Sequence, residues 1–258
     1  MILFDHHMEL ATIRYICTNA MKKKKRNNQW LLPVALFIGA LTVWIIVRFI
    51  SDPHHRYLIW GIDVSAHTGK IDWEKVKDHK VDFAFIKASE GATLKDKSFR
   101  NNVTRAREAG IPVGAYHFFN FNRRGIAQAQ NFLRAIDGVE LDLPPVVDVE
   151  EWGNVVRRPR KQIIADLVDF VELVEKTTGQ KVLIYTNKDT FKWYISETFP
   201  EHDIWICSFD HTPEIEKSWT FWQYHHEGRL KGIQGKVDFN VFYGNTIEWK
   251  NYLNNKKR

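Results

Sequence analysis

The chain has little cysteine, with only Cys17 and Cys207 among its 258 residues. A disulfide scaffold is therefore excluded, because the two residues lie on opposite sides of a long apolar segment that is predicted below to cross a membrane. Cys207, in Asp-Ile-Trp-Ile-Cys, is predicted to be a buried thiol in a strand. The folded part of the chain must be held together by its core, for which about 200 residues are enough.

Signatures of nucleotide, metal and nucleophile sites are absent as well. No Gly-x-Gly-x-x-Gly follows the first predicted strand, which carries only Gly61 and, further on, a lone Gly69. The paired histidines, 6–7, 54–55 and 225–226, are adjacent rather than four residues apart, and no Cys or Glu completes a ligand set. Cys207 has no candidate base in its strand. We therefore expect no cofactor and no metal.

An excess of charge is confined to one end of the chain. The net charge is +6, but residues 1–56 hold eight Lys or Arg against three acids, whereas residues 57–258 hold 29 against 28. The basicity is thus mostly a membrane-topology signal, and no basic stripe remains in the second part to favour nucleic acid as a partner.

One long uncharged run is present at residues 30–47, WLLPVALFIGALTVWIIV. Its 18 residues are enough to cross a bilayer, and five basic residues, 22–26, come immediately before it. The positive-inside rule then predicts a single-pass signal anchor in the inner membrane, with everything after the anchor on the extracytoplasmic side. A cleaved signal peptide is the alternative, but the run is long for one and no small-x-small cleavage site follows it.

The chain is therefore predicted to contain a cytoplasmic segment at 1–29, a transmembrane anchor at 30–50, a linker at 51–56 and one domain at 57–258. Met21 precedes the Lys run as in an ordinary start of an exported bacterial protein, so translation could begin there.

The domain alternates strand-like and helix-like segments. Strands are predicted at 58–64, 82–88, 112–119, 145–150, 181–186, 203–208, 219–224 and 236–242, and helices at 72–78, 98–109, 124–136 and 160–178. Eight strands, the first five with helical crossovers, predict an irregular TIM-like β/α barrel. A doubly wound open sheet is the structural alternative, which the missing glycine motif disfavours. His117 is interpreted as a residue of the barrel interior rather than a ligand.

Four acids stand near the ends of these strands. Asp63 ends the first strand, Asp148 and Glu150 end the fourth, and Asp238 lies in the eighth. Strands one and eight are neighbours in a closed barrel and face strand four across its mouth, so the four acids converge on one cleft. Acids at strand ends also cap helices or pair with surface Lys. An apolar strand that ends in two acids on one face nevertheless favours a cleft.

The spacing of Asp148 and Glu150 indicates acid chemistry. Residues two apart on a strand share a face, with Cα atoms about 6.6 Å apart. Two acids that close cannot both ionise freely, and the one in the drier position keeps its proton near neutral pH and can act as a general acid. The spacing falls between the separation of about 5–5.5 Å typical of a direct nucleophile and that of about 6.5–9.5 Å typical of an inverting pair.

Six motifs, taken in order over about residues 60–243, resemble the glycoside hydrolase family 25 lysozymes, the Chalaropsis-type muramidases. They are Gly-Ile-Asp-Val-Ser at 61–65, Phe-Ile-Lys-Ala-Ser-Glu-Gly at 85–91, Ala-Gly-Ile-Pro-Val-Gly-Ala-Tyr-His-Phe at 109–118, Val-Val-Asp-Val-Glu at 146–150, Trp-Gln-Tyr at 222–224 and Val-Asp-Phe-Asn at 237–240. Only the N-terminal anchor falls outside the resemblance.

This resemblance implies hydrolysis of the β-1,4 bond between N-acetylmuramic acid and N-acetylglucosamine in peptidoglycan. By position, Glu150 matches the family's general acid/base and Asp148 its partner, while Asp63 and Asp238 match outer acids that shape the site. The N-acetyl substrate offers a route in which its own acetamido oxygen attacks the anomeric carbon while Asp148 stabilises the developing positive charge. We favour this retaining, substrate-assisted route, and the other two routes stay open.

Substrate-binding residues are predicted from aromatic and polar side chains near strand ends: Tyr116, Lys87, Tyr185, Trp222, Gln223 and Tyr224. Flat rings stack on sugar faces, and polar groups in apolar strands bind substrate or orient an acid. Each ring could equally pack in the barrel, and Lys87 could be a structural partner of Glu90. Two other functions stay open, a non-catalytic peptidoglycan-binding protein and a chitinase-like hydrolase.

Overall fold

The computed structural model describes residues 31–209 and 211–254. The helices are α1 (Leu31–Ser51), α2 (Pro53–Arg56), α3 (Trp73–Asp78), α4 (Phe99–Glu108), α5 (Gly125–Ile136), α6 (Arg160–Thr178), α7 (Lys188–Thr190) and α8 (Thr246–Asn254). The strands are β1 (Trp60–Val64), β2 (Phe83–Glu90), β3 (Leu94–Lys95), β4 (Val113–Phe118), β5 (Val146–Asp148), β6 (Leu183–Asn187), β7 (Ile204–Cys207), β8 (Phe221–Gly228) and β9 (Val237–Phe242). The chain separates into two compact units, Met1–Ser51 and Asp52–Arg258.

The described part of the first unit is helix α1, 21 residues long. Its apolar side chains are exposed along its length, as at Leu32, Phe37 and Trp44. The structure describes the side chains of α1 except at three positions near its end. In the part of the chain that is described, no helix is long and apolar enough to cross a membrane. The predicted cytoplasmic segment 1–29 lies outside the described residues, and the anchor stays a prediction.

The second unit is a closed barrel of eight strands. Its strands follow the order β1-β9-β8-β7-β6-β5-β4-β2, and pairing of β1 with β2 closes the ring. Six of the neighbouring pairs are parallel, whereas β9 runs antiparallel to both β8 and β1. The short β3 lies outside the ring as an antiparallel partner of β2. The eight-stranded barrel confirms the predicted fold class, and the reversal of β9, which the sequence analysis did not predict, makes the barrel irregular.

The core has two layers because side chains alternate along each strand. One layer fills the barrel interior and includes Phe83, Phe85, Trp205 and Phe221. The other lies between the barrel and its helices and includes apolar residues of α3, α4, α5 and α6, such as Phe132 of α5. A residue on a strand can therefore be assigned to the interior or to the helix layer by its position in the alternation, except where β2 and β8 shift register.

The predicted elements agree with the structure at all eight strands and at the four predicted helices. Several short elements were missed. They are helix α2 in the predicted linker, a 3₁₀ turn at Ala66–Thr68, the two-residue β3, the C-terminal helix α8, and the short helical segment after β6 that continues into a π-helical turn at Phe191–Ile195. One boundary differs in a way that matters for the site. Strand β5 ends at Asp148, so Glu150 lies two residues beyond the strand rather than within it.

Candidate active site

The four predicted acids meet at one end of the barrel. Asp63 is the second-last residue of β1 and Asp148 the last of β5, and both strands run toward this end. Strand β9 runs the opposite way, so Asp238 near its start reaches the same end and pairs in register with Asp63. The backbone N–H of Val149 donates to the backbone carbonyl of Tyr185 at 2.9 Å. This bond holds the segment that leads to Glu150 against β6. We call this end the mouth.

Asp63 is the centre of a hydrogen-bond network. Its Oδ2 accepts from Nε2 of Gln223 and from Nδ2 of Asn240, each at 2.8 Å. Burial raises the pKa of Asp63, while the bonds from these two amides oppose the rise. A carboxylate that receives several donors is favoured in its ionised form. The two amides therefore favour a negative charge on Asp63 in the wall of the mouth, against the burial that opposes it.

Asp238 carries a proton at neutral pH. Burial raises its pKa to about 9, and the neighbouring charge of Asp63 and a hydrogen bond to Asp63 contribute to that rise. When one of two facing carboxyls is ionised and the other is neutral, the proton of the neutral group lies between them in a hydrogen bond. Asp238 is accordingly a neutral acid that donates to Asp63, and the pair has one net charge.

Asp148 is buried at 7 % exposure, and its Oδ1 has no hydrogen-bond partner among the described residues. Burial raises its pKa well above the usual value, and the negative charge of Glu150 raises it further, while the positive charge of Lys87 opposes only part of this rise. A buried carboxyl oxygen without a partner is costly unless a ligand satisfies it. Asp148 therefore points an unsatisfied acceptor into the site.

Glu150 has the pKa of a general acid. Burial raises it to about 7, with a further rise from the charge of Asp63 and an opposing effect of Lys87. No side-chain hydrogen bond holds its carboxyl to a described residue, whereas its backbone carbonyl accepts from Nδ2 of Asn154 at 2.8 Å. The backbone is fixed and the carboxyl is free to reach a substrate. A group with a pKa near the working pH is the efficient choice for proton transfer.

Lys87 is the one interior lysine of the described strands near these acids. Its Nζ pairs with Oε2 of Glu90 at 2.7 Å and lies 4.9 Å from the ring centre of Phe118. A register shift in β2 between Lys87 and Ser89 turns Glu90 back toward the same side. Lys87 thus both pairs with Glu90, as the sequence allowed, and lowers the pKa of Asp148 and Glu150.

Three other predicted binding residues also line the interior near the mouth. Tyr185 donates its hydroxyl to Oε1 of Gln223 at 2.8 Å, so that tyrosine, amide and Asp63 form one chain of hydrogen bonds. Burial raises the pKa of Tyr116 well above its usual value, and the charges of Asp63 and Asp148 add to the rise. Tyr116 therefore stays a neutral phenol among the acids, able to donate a hydrogen bond.

Trp222 and Tyr224 lie elsewhere. Both occupy the face of β8 opposite to Gln223, in the layer outside the barrel. Trp222 is buried at 4 % exposure and donates its Nε1 to the carbonyl of Ser208 at 2.7 Å, with Trp219 packed edge-on. The structure does not bring these two rings to the acids, because alternation along β8 sends Gln223 inward and its two neighbours outward.

The sequence analysis missed one partner of Asp63, Asn240, and the residue that supports it, Trp205. Asn240 lies two residues after Asp238 on β9, and its Oδ1 accepts from Nε1 of Trp205 at 2.8 Å. Asn240 and Trp205 are therefore the polar and aromatic supports of the Asp63 carboxylate. The period of two on β9 was the available signal, since Asp238 and Asn240 must share a face.

The loop after Glu150 is tied to the loop after β4. Asn154 donates to the carbonyls of Glu150 and Phe119 at 2.8 and 3.1 Å, and accepts from the backbone of Phe121 at 3.2 Å. Beside Glu150 the same loop exposes Trp152, which is 79 % accessible. This ring is an aromatic surface at the mouth that the sequence analysis did not identify.

His117 is not in the barrel interior, contrary to the sequence interpretation. It lies in the layer between β4 and the helices, where its Nδ1 is 2.8 Å from Oγ of Ser89 and its ring stacks on Phe170. Burial lowers the pKa of His117 to about 3, so it is neutral. Within residues 31–209 and 211–254, no group of three or more His, Cys, Asp or Glu is arranged to hold a metal ion.

Known proteins resemble this chain in sequence and in fold. The family model for glycosyl hydrolases family 25 matches residues 62–233. The chain is 36% identical over 208 residues to an uncharacterised protein of Escherichia coli, YegX, covering 78% of this chain and 75% of that one. It is 35% identical over 218 residues to Lysozyme M1 of Streptomyces globisporus, covering 76% and 72%. The solved structure of a family 25 glycosyl hydrolase from Bacillus anthracis superposes with a TM-score of 0.72 at 39% identity, covering 78% of this chain and 96% of that one.

Proposed function

The chain belongs to glycosyl hydrolase family 25, and from this premise we propose that it hydrolyses the β-1,4 bond between N-acetylmuramic acid and N-acetylglucosamine in peptidoglycan. The observation that carries the proposal is the pair of acids at the end of β5. Glu150 has a pKa of about 7, and next to it Asp148 offers a buried oxygen without a partner. A general acid beside a charge-stabilising acid is the apparatus of glycoside cleavage.

In the proposed reaction, protonated Glu150 gives its proton to the glycosidic oxygen as the bond to the anomeric carbon breaks. The leaving N-acetylglucosamine departs as a neutral alcohol. Glu150, now a carboxylate, then takes a proton from the attacking water and returns to its starting state. The pKa of about 7 suits both steps, because the group must lose and regain one proton in each turnover.

Asp148 acts on the sugar rather than on the leaving group. We assign its free Oδ1 to the N–H of the substrate acetamido group, whose carbonyl oxygen attacks the anomeric carbon from the opposite face. The developing positive charge on the resulting ring then lies beside the carboxylate. Lys87 favours the ionised form of Asp148 against the burial that opposes it. The route proceeds with retention, because two inversions occur at the same carbon.

The negative charge of Asp63 has an electrostatic role in this scheme. It raises the pKa of Glu150 and so helps to keep the proton on the acid until the substrate receives it. Tyr116 and the chain from Tyr185 through Gln223 line the same space with neutral donors. These groups can bind sugar hydroxyls without adding charge to the mouth.

Product analysis tests the proposal. Peptidoglycan digested by the protein, reduced with borohydride and examined by mass spectrometry should carry newly reduced N-acetylmuramic acid ends. Anhydro-muramic ends would instead identify a lytic transglycosylase, and reduced N-acetylglucosamine ends would identify cleavage of the other bond. Chitin oligomers are the matched control, since they lack the lactyl ether, and we expect them to be cleaved far more slowly.

We further propose that the chain is anchored in the inner membrane, with the barrel on the extracytoplasmic side. The support is the uncharged run at 30–47, the five basic residues before it and the exposed apolar side chains of α1. A cell-wall substrate lies on that side of the membrane. An anchored barrel would act on the glycan strands closest to the membrane.

A further inference from the structure

Five exposed cations lie beside the mouth, and we call them the basic rim: Arg123, Arg157, Arg160, Lys161 and Lys192. They belong to the segments that follow β4, β5 and β6, at the same end of the barrel as the acids. Although residues 57–258 are nearly balanced in charge, the fold gathers these cations on one side. The sequence analysis, which saw no basic stripe, did not predict this cluster.

Contacts between the three segments hold the rim together. The backbone N–H of Arg157 donates to Oδ1 of Asn122 at 3.2 Å, which places it beside Arg123. The guanidinium of Arg160 lies 5.0 Å from the ring centre of Trp193, and Nζ of Lys192 lies 5.7 Å from the same centre. The rim is therefore one surface rather than scattered charges.

The rim differs from the two arginines that lie among its members. Arg124 and Arg158 both pair with the buried Asp166, at 3.4 and 2.5 Å. None of the five rim residues forms an ion pair with a carboxylate of the part of the chain that the structure describes. The exposed acids nearest in sequence are Glu151, which accepts from the hydroxyl of Tyr194, and Asp189. The surface thus keeps a net positive charge.

The loop from 151 to 159 connects the rim to Glu150. It exposes Trp152, Val155 and Val156, with accessibilities of 79%, 63% and 43%. Along this loop from Glu150, an exposed aromatic ring is followed by two exposed apolar side chains and then by the cations. Such a sequence of groups suits a short chain with an apolar part near the sugar and carboxylates further out.

We propose that the basic rim binds the carboxylates of the acidic peptide stem that the muramic acid carries. This inference rests on the proposed function, since the lactyl ether then starts the stem close to Glu150. A stem of three to five residues extends about 10–18 Å, which is the scale of one loop. The rim would make the enzyme prefer glycan strands that still carry their peptides. Anionic lipid headgroups could also face such a surface, and the test separates the two.

The test compares two substrates and one double variant of the full chain. The substrates are glycan strands with their stems and the same strands after an amidase has removed the stems. In Arg157→Glu with Lys161→Glu, two rim charges are reversed and no group of the acid site is touched. We expect KM on stem-bearing strands to rise about tenfold, with kcat unchanged and KM on stripped strands unchanged. Because the rim is exposed, the wild-type preference should weaken at high salt.

Lys176→Glu is the matched control. Lys176 is exposed on the last turn of α6, at the opposite end of the barrel from Lys161 on the first turn. It should leave both KM values unchanged. Thermal unfolding of each variant excludes a folding defect as the cause.

Three outcomes would overturn the inference. The first is an equal KM change of the double variant on both substrates, and the second is no change of KM on stem-bearing strands. The third is an unchanged KM together with a loss, in the double variant, of a wild-type preference for phosphatidylglycerol over phosphatidylcholine vesicles. The third outcome would assign the rim to the membrane. Failure of the wild type to cut either glycan would instead refute the proposed function. The two failures are therefore distinguishable.

Discussion

Asp63 and Asp238 face each other as register partners of the antiparallel pair β1–β9, and one of them is protonated. The reversal of β9 creates this pair, since in a fully parallel barrel the start of the last strand would lie at the other end. The chemical result is an asymmetric pair. Asp63 receives amide donors from Gln223 and Asn240 and keeps its charge, while Asp238, with a pKa of about 9, keeps the proton.

The first prediction contrasts the members of this pair. Asp63→Asn removes a charge that raises the pKa of Glu150, so the alkaline limb of the pH–rate profile should move below its wild-type position near pH 7. Asp238→Asn replaces a neutral donor with a neutral donor and should leave that limb in place. Because its amide faces two donor amides, Asp63→Asn should also lower the free energy of unfolding by about 2 kcal/mol. Profiles of kcat/KM and denaturant unfolding measure both effects.

Equal shifts of the alkaline limb in the two variants would contradict the assignment of the negative charge to Asp63 and of the proton to Asp238. An unshifted limb in Asp63→Asn would show that Asp63 does not act on Glu150 through its charge.

The order of strands and helices was predictable because the apolar periodicity is strong. The helix face of Ile163, Leu167 and Val171, for example, ends at Gly179, which adopts a φ of 67° and closes α6. The C-terminal helix α8 was missed because its buried apolar content is small: Trp249 is its one buried residue.

The positions of the four acids could be predicted from the sequence, whereas the orientation of the aromatic rings on β8 could not. Acids near strand ends converge because parallel strands share an end, and that rule needs only the strand order. Which ring faces inward on β8 depends on register, and a shift of one residue moves every side chain to the other face. Trp222 and Tyr224 therefore lie outside, and the register shifts in β8 near His225 are not visible in the residue pattern. Partners from distant strands, such as Trp205 to Asn240, require the closed barrel itself.

The second prediction concerns the acids of β5. Glu150→Gln keeps shape and removes the transferable proton, so kcat should fall by about 10²–10⁴-fold with KM nearly unchanged. Asp148→Asn should be severely impaired as well, because the charge beside the developing cation is lost. Glu151→Gln is the neighbouring control, since Glu151 is exposed and only accepts from Tyr194. Near-normal turnover of a folded Glu150→Gln on peptidoglycan would refute the assignment.

The third prediction concerns stability and pH. Asp238 has a folded pKa of about 9, above its unfolded value of about 3.9, so the folded state binds the proton more tightly. Its contribution is fully present below the unfolded pKa and is lost as pH rises through about 9. The wild type should therefore lose stability as pH rises from about 4 to about 9, and Asp238→Asn should lose less. Glu172→Gln, an exposed acid on α6, is the control. Parallel curves for wild type and Asp238→Asn would contradict the shared-proton pair.

The fourth prediction concerns topology. If the run at 30–47 is an anchor, the protein should remain in the membrane fraction after high-salt and carbonate washes. Protease added to spheroplasts should degrade the barrel while leaving cytoplasmic markers intact. Replacing the five basic residues at 22–26 with Gln should reduce the fraction oriented in this way. Protection of the barrel in intact spheroplasts, or recovery of a soluble form that begins after residue 48, would count against the anchor.

The last prediction concerns Lys87 and Glu90, the ion pair beside the catalytic acids. Lys87 is 12 % exposed, and its positive charge lowers the pKa of both Asp148 and Glu150. Lys87→Met keeps the length of the side chain and removes the charge, so the alkaline limb should move upward by about one pH unit. Glu90→Gln leaves Lys87 with an uncompensated charge, so the limb should move downward.

These opposite directions separate electrostatics from damage. A disturbed barrel mouth would lower kcat in both variants without shifting the limb in opposite directions. Lys97→Met, an exposed lysine after β3, should leave the profile unchanged. If both Lys87→Met and Glu90→Gln shift the limb the same way, the pair acts through packing at the bulge of β2. If the two limbs shift in opposite directions, the charges of the ion pair set the pKa of Glu150. One variant removes a positive charge and the other removes a negative charge at the same place.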